Sequence, residues 1–308
     1  MNRTLAAHSP ELTPARRRWR RFLRHRLAIA SLIVILVLAI LSLAAPWIER
    51  ALGFDGADFV LANKLQPPSW RHWLGTDDLG RDVMIRLLYG GRISLMVGLI
   101  AALAAAIIGT FIGIVAGYYG GKLDGLLMRL TDAVIVLPVL PLLIVLAAVD
   151  LRKLGLPEEI AGSSDSSLYR IVAIIALVSW TGVARLVRGA TLAVKQRDFV
   201  RAAIALGASN RRVMWVHILP NVLSPVVVAT TLSVGGIILF ESVLSFLGLG
   251  IQPPTASWGN MMNNAQELIT QAPHMIVFPG ALIFIVVVAF NFVGDGMQDA
   301  LDPRALSD

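Results

Sequence analysis

The sequence predicts an all-α membrane protein with six transmembrane helices, on three observations. Of the 308 residues, 56% are hydrophobic and only 15% are charged, whereas soluble domains hold about 25% charged residues. The apolar excess is gathered into runs near the ~20 residues needed to cross a ~30 Å hydrocarbon core. Inside these runs polar and apolar residues do not alternate, as the strands of a membrane barrel would require. The runs lie at 27–48, 93–118, 131–149, 168–187, 222–249 and 275–294.

The chain opens with a basic tail, 1–26, that carries eight Lys and Arg directly ahead of the first run. That placement is a membrane orientation signal and not a nucleic-acid surface. The first run exceeds the 7–15 apolar residues of a secretory signal. Pro46-Trp47 also stands where a small-residue cleavage site would be, so the run is read as a retained helix. With a long outer loop it makes up 27–92. If the N-terminus is cytoplasmic, the cytoplasmic segments hold 18 of the 27 Lys and Arg and the outer segments 9, which predicts both termini inside. Residues 93–294 then form a five-helix core with a cytoplasmic loop at 188–221, and 295–308 form a cytoplasmic tail. In the second run Ala101, Ala105, Gly109, Gly113 and Gly117 recur every fourth position, with Gly121 just beyond. This smooth stripe allows close approach by another helix, inside the subunit or at a subunit interface.

The chain offers little chemistry of its own. It has no cysteine. Gly121-Lys122 ends like a phosphate loop, but Leu123 stands where Ser or Thr is needed and Ala116 where a glycine is needed, so no ATP site is predicted. Asp77, Asp78 and Asp82 fail the spacing of a calcium loop because Leu79 intervenes. They are read as an outer-face turn, with Asp77 or Asp78 capping a helix that leads through Arg86 and Leu87 into the second run. The five histidines show no helical pairing for zinc. Neither a Ser-His-Asp order nor paired acids point to catalysis. Glu241 is the one acid well inside a run, where a charge is costly and faces protein or a watery cavity. Two readings stand open: it lines the outer part of a translocation pathway or pairs with a partner, or it is held locally by hydrogen bonds. Asn291 is read as a bond between helices.

The stretch at 201–221, RAAIALGASNRRVMWVHILPN, is basic and half apolar, and it lies between two spans. Phe199, Ala202, Ala203 and Leu206 share one shallow helix face. Gly207 is placed to end that helix, and Ser209 and Asn210 can each cap another. Val213, Val216 and Pro220 continue on one face, broadened by Met214, Trp215 and Ile218, with Pro220 and Pro225 at the entry to the fifth span. Two short helices at an angle on the cytoplasmic surface are expected. Their small-residue face suits the groove of another protein better than lipid headgroups.

This segment resembles the loop of ABC-importer permeases, which reads EAA, three residues, Gly, nine residues, I-x-L-P. Ala202-Ala203, Gly207 and Leu219-Pro220 match, while Arg201 replaces the glutamate and His217 the isoleucine. LGTDDLGRDVMIRLLYGGRISL (74–95), LSFLGLGIQPPTASWGNM (244–261) and FNFVGDGMQDALDPR (290–304) resemble the C-type permease of dipeptide, oligopeptide and nickel importers. The resemblance implies a six-span permease subunit of the type I importer fold in a bacterial inner membrane. It implies a second, similar permease, two cytoplasmic ATPases that bind ATP and Mg, and an extracytoplasmic solute-binding protein as partners. It assigns Arg201, Ala202, Ala203, Gly207, Leu219 and Pro220 to an ATPase-coupling loop, and it implies that this chain binds no cofactor and moves peptides or a related small solute. The alternative is a secondary transporter or channel, which predicts inverted repeats and broken helices with intramembrane charges.

Overall fold

A computed structural model of the chain describes residues 14–53, 60–149, 164–263 and 265–301. Most of the stretch between the third and fourth runs, the second half of the C-terminal tail and the first half of the basic tail lie outside the described residues. The helices are α1 (Pro14–Arg24), α2 (Arg26–Leu43), α3 (Ala45–Leu52), α4 (Val83–Tyr119), α5 (Gly121–Val136), α6 (Val139–Ala147), α7 (Ser164–Lys195), α8 (Asp198–Ala205), α9 (Asn210–Phe246) and α10 (His274–Leu301), joined by loops and short helical turns. No strand occurs among the described residues. Five helices, α2, α4, α7, α9 and α10, are long and apolar enough to cross a membrane, and the number is six if the bent pair α5–α6 counts as one crossing.

The third run was expected as one helix over 131–149, and the structure corrects this. It breaks into α5 and α6 with a bend of 88°. Pro138 is the cause. It forces the preceding residue out of helical geometry, and Leu137 is extended at φ −68°, ψ 135°. The first run is also interrupted: a separate α3 begins at Ala45 after Ala44, with Pro46 in its first turn.

α4 starts ten residues before the predicted run and is 37 residues long. Its cap is Asp82, neither Asp77 nor Asp78: Asp82 Oδ1 accepts from the Ile85 amide at 3.0 Å. Asp77 instead organises the preceding turn. It accepts from the Leu79 and Arg81 amides at 2.9 Å each and pairs with Arg81 Nε at 2.7 Å. The turn read from the sequence is therefore present, and its carboxylates hold the entry to α4.

The broadest helix packing is α4 against α7, and the small-residue stripe makes it. A Cβ added at Gly109 would lie 2.6 Å from the Trp180 carbonyl, at Gly113 2.6 Å from that of Ala184, and at Gly117 2.9 Å from that of Arg188. The stripe is used inside the subunit. α9 packs against α10, α10 against α2, and α1 against the C-terminal end of α10. At the opposite end, the loop after α9 folds back into the bundle. Trp258 is buried and donates from Nε1 to the Leu87 carbonyl at 3.0 Å. Asn291, expected to bond a neighbouring helix, is exposed on α10.

Candidate functional site

α8 is a two-turn helix at the end of the bundle, closed by glycine chemistry. Gly207 has φ +83°, the left-handed geometry that costs residues with a Cβ about 1–2 kcal/mol. The Gly207 amide donates to the Ile204 carbonyl at 2.9 Å and the Ala208 amide to that of Ala203 at 3.0 Å. These two bonds form a Schellman closure. Ser209 then caps α9 by accepting from the Arg212 amide at 3.4 Å. Asn210 does not share that role, because its Oδ1 accepts from the Tyr118 hydroxyl at 2.8 Å.

The predicted shallow face is turned outward. Phe199 is 46% exposed and Leu206 88% exposed; Ala202 and Arg201 are exposed and Ala203 is half-buried. The opposite side of α8 is anchored, since Val200 is buried in a cluster with Ile114, Tyr118, Val187, Val213, Met214, Ile218 and Val222. Lys195 Nζ donates to the Tyr118 carbonyl at 2.5 Å. Arg188 grips Asp124 with two bonds of 2.5 and 2.6 Å, tying α7 to α5. Tyr118, Lys195, Asp124 and Arg188 were not singled out from the sequence. Tyr118 sits at a helix end beside Gly120-Gly121 and Lys195 at one beside Gln196-Arg197, and those helix ends were the one signal that marked them.

The second short helix expected after Gly207 is not separate. α9 runs unbroken from Asn210 through Phe246, with a π segment at Val213–Ile218 and Pro225 inside it. Pro220 explains the π segment. It has no amide to donate, and its ring clashes with the carbonyl four residues back, so the helix widens just before it. The widening resets the faces. Val213 and Ile218, five residues apart, are both buried, while Val216 and Pro220, assigned to the same face, are exposed. Leu219 is half-buried against the cluster. The Asn221 Nδ2 donates to the His217 carbonyl at 2.7 Å. Beside this region an apolar groove of about 920 Å³ runs between α4 and α9, lined by Phe111, Trp215, Leu219, Leu223 and Thr230 among others.

Arg201, Ala202, Ala203, Gly207, Leu219 and Pro220 thus lie within one compact end of the bundle. Glu241 does not join them, being about 30 Å further along α9 at 1.5 Å per residue. It is fully buried. Ser245 donates to its Oε1 at 2.7 Å, and Ser94 and Ser242 donate to its Oε2 at 3.1 and 3.5 Å.

Apolar crossing helices in a strandless bundle, with a short exposed helix at one end, define a polytopic membrane protein that carries no soluble domain among its described residues. The family described as "Binding-protein-dependent transport system inner membrane component" matches residues 109–307, and the "N-terminal TM domain of oligopeptide transport permease C" matches 13–68. The oligopeptide transport system permease protein OppC of Escherichia coli K12 is 41% identical over 92% of this chain and 89% of its own length. The glutathione transport system permease protein GsiD of Shigella flexneri serotype 5b is 41% identical over 95% and 91%. A crystal structure of an amino acid ABC transporter with histidines aligns over 66% of this chain and 87% of that one, at 16% identity and a TM-score of 0.47. The chain belongs to the family of binding-protein-dependent transport system inner membrane components. It is an inner-membrane permease subunit of an ABC importer.

Proposed function

We propose that this permease carries peptides across the inner membrane and takes its power stroke through α8 and the start of α9. The peptide class rests on the match of the N-terminal region to an oligopeptide permease domain and on full-length likeness to oligopeptide and glutathione permeases. In this reading the chain makes and breaks no bonds and binds no cofactor. Two cytoplasmic ATPases bind ATP and Mg, a solute-binding protein delivers the peptide, and a second, similar permease covers apolar surface such as the groove between α4 and α9. α5 and α6 together make the sixth crossing, and both termini face the cytoplasm.

The observation that carries the coupling role is the two-sided build of α8. Its inner side is fixed by buried Val200, and its outer side presents Phe199, Ala202, Ala203 and Leu206. A force applied to that outer face reaches α9 directly, because only Leu206, Gly207, Ala208 and the Ser209 cap intervene. Arg201 stands exposed beside this face where the resembling loops carry glutamate. It brings a positive charge to the contact, so the matching ATPase groove carries an acidic group near it.

The chain lacks native cysteine, so a cross-link tests this directly. A cysteine replacing Ala203 should join a cysteine placed in the ATPase groove, with a yield that changes with nucleotide. Gly207→Val should leave the protein inserted and reduce transport. A Cβ there meets nothing of this chain within 4 Å, so the cost inside the subunit is backbone strain and not a clash. Full transport in Gly207→Val together with no cross-link to either ATPase would remove the coupling role.

A further inference from the structure

We propose that α1 is an anionic-lipid-binding helix that lies in the headgroup layer and reads the charge of the membrane. This goes beyond the importer reading and does not depend on it. α1 reads PARRRWRRFLR, with six arginines among eleven residues and no acid. It precedes α2 by the single residue His25, whose φ −81°, ψ 90° interrupts the helix and whose Nδ1 accepts from the Ala28 amide. The membrane-spanning segment starts directly after that break, so α1 is held at the level where apolar chain meets water.

At 100° per residue, the order around α1 is Phe22, Trp19, Leu23, Arg20, Arg24. Each of these meets a different medium. Phe22 is buried in a cluster with Ala28, Val293 and Ala300, which docks α1 on the C-terminal end of α10. Trp19 stacks on Phe22 at 5.8 Å and is 59% exposed, and Leu23 is 50% exposed. Arg20 and Arg24 are exposed one step further round. An indole and a leucine next to protein, flanked by guanidinium groups, form the graded face of a helix lying in an interface. Arginine matches phosphate in bidentate geometry, and the exposed Arg20 and Arg24, on a helix whose sequence holds no acid, complement an anionic surface.

The experiment uses the full-length chain, with the subunits that co-purify with it, in lipid nanodiscs. A single cysteine in L23C carries a fluorophore, and the discs contain a lipid with a nitroxide on its headgroup. Quenching should be roughly twofold or more stronger in discs containing phosphatidylglycerol than in pure phosphatidylcholine, because each surface arginine adds to the attraction. R20Q/R24Q should return it to the phosphatidylcholine level. Native mass spectrometry of the unlabelled protein should show retained phosphatidylglycerol that falls in R20Q/R24Q. Equal quenching in both lipids would overturn the proposal, leaving α1 at the surface for apolar reasons alone. A probe shielded in both lipids would also overturn it, since another subunit would then cover the face.

Discussion

At the scale of single residues, Glu241 shows how a costly group is made tolerable. Its carboxylate is enclosed by hydroxyls from α4 and α9, and one of them, Ser245, also accepts from the Ile251 amide at 3.0 Å. The residue therefore pins the loop after α9 to two crossing helices. Glu241→Leu would leave several buried hydroxyls without an acceptor, at about 1–3 kcal/mol each. Glu241→Gln keeps one carbonyl oxygen and the volume, and should cost about 1 kcal/mol. Thermal unfolding of the purified protein should rank native, Gln and Leu in that order. Loss of transport in Glu241→Gln at an unchanged midpoint would instead place the residue on the pathway. The sequence exposed Glu241 because an acid in an apolar run is conspicuous. It did not expose the answering groups: Ser94 is 147 positions away, and nothing local marks it as a partner.

At the scale of elements, the α4–α7 pair depends on missing side chains. Gly113→Ala would bring a Cβ to 2.6 Å from the Ala184 carbonyl and 2.7 Å from the Val187 Cβ, whereas Gly182 on α7 has open space. Gly113→Ala should destabilise the protein by about 1–3 kcal/mol through overpacking, and Gly182→Ala should leave stability unchanged or slightly raised. The comparison is read from the denaturation midpoints of the two variants. Equal midpoints would mean that the stripe is not a packing surface. This stripe was legible because a four-residue repeat of small side chains survives in the sequence as a pattern. The same periodicity failed at Val213–Ile218. A π segment repeats nearer every five residues, so an α-helical template sent Val216 inward and the structure sends it outward. α1 was missed as a helix for a related reason. With only Trp19, Phe22 and Leu23 among arginines, its apolar stripe is too short to stand out from a basic tail. Pro138 was visible, yet its effect depended on whether neighbouring helices straightened the break, which sequence spacing does not state.

At the scale of the whole molecule, the crossing number and the orientation are linked by contacts between distant parts of the chain. α1 packs on the last turns of α10, so the N-terminal and C-terminal ends of the bundle are neighbours. Tyr118 meets Lys195 and Asn210 at one end of α4. The other end of α4 begins beside His72, which bonds Asp82 at 3.0 Å, and His274 meets the Thr76 carbonyl there at 3.1 Å. α7 therefore starts at the end opposite to that where α5 starts, and the chain between Gly121 and Ser164 must traverse the bundle. That parity supports the proposal that α5 and α6 make one crossing. The basic cluster of Arg185, Arg188, Lys195, Arg197, Arg201, Arg211 and Arg212 lies at the α1 end, and the positive-inside rule assigns that end to the cytoplasm. A reporter active only outside the cytoplasm should therefore work when fused near Ala62 and fail near Gln196 and after Arg304. Activity near Gln196 would put α8 outside, beyond reach of any ATPase. Activity near both Ala62 and Gln196, or near neither, would break the parity instead, and α5–α6 would then be a re-entrant pair that does not cross.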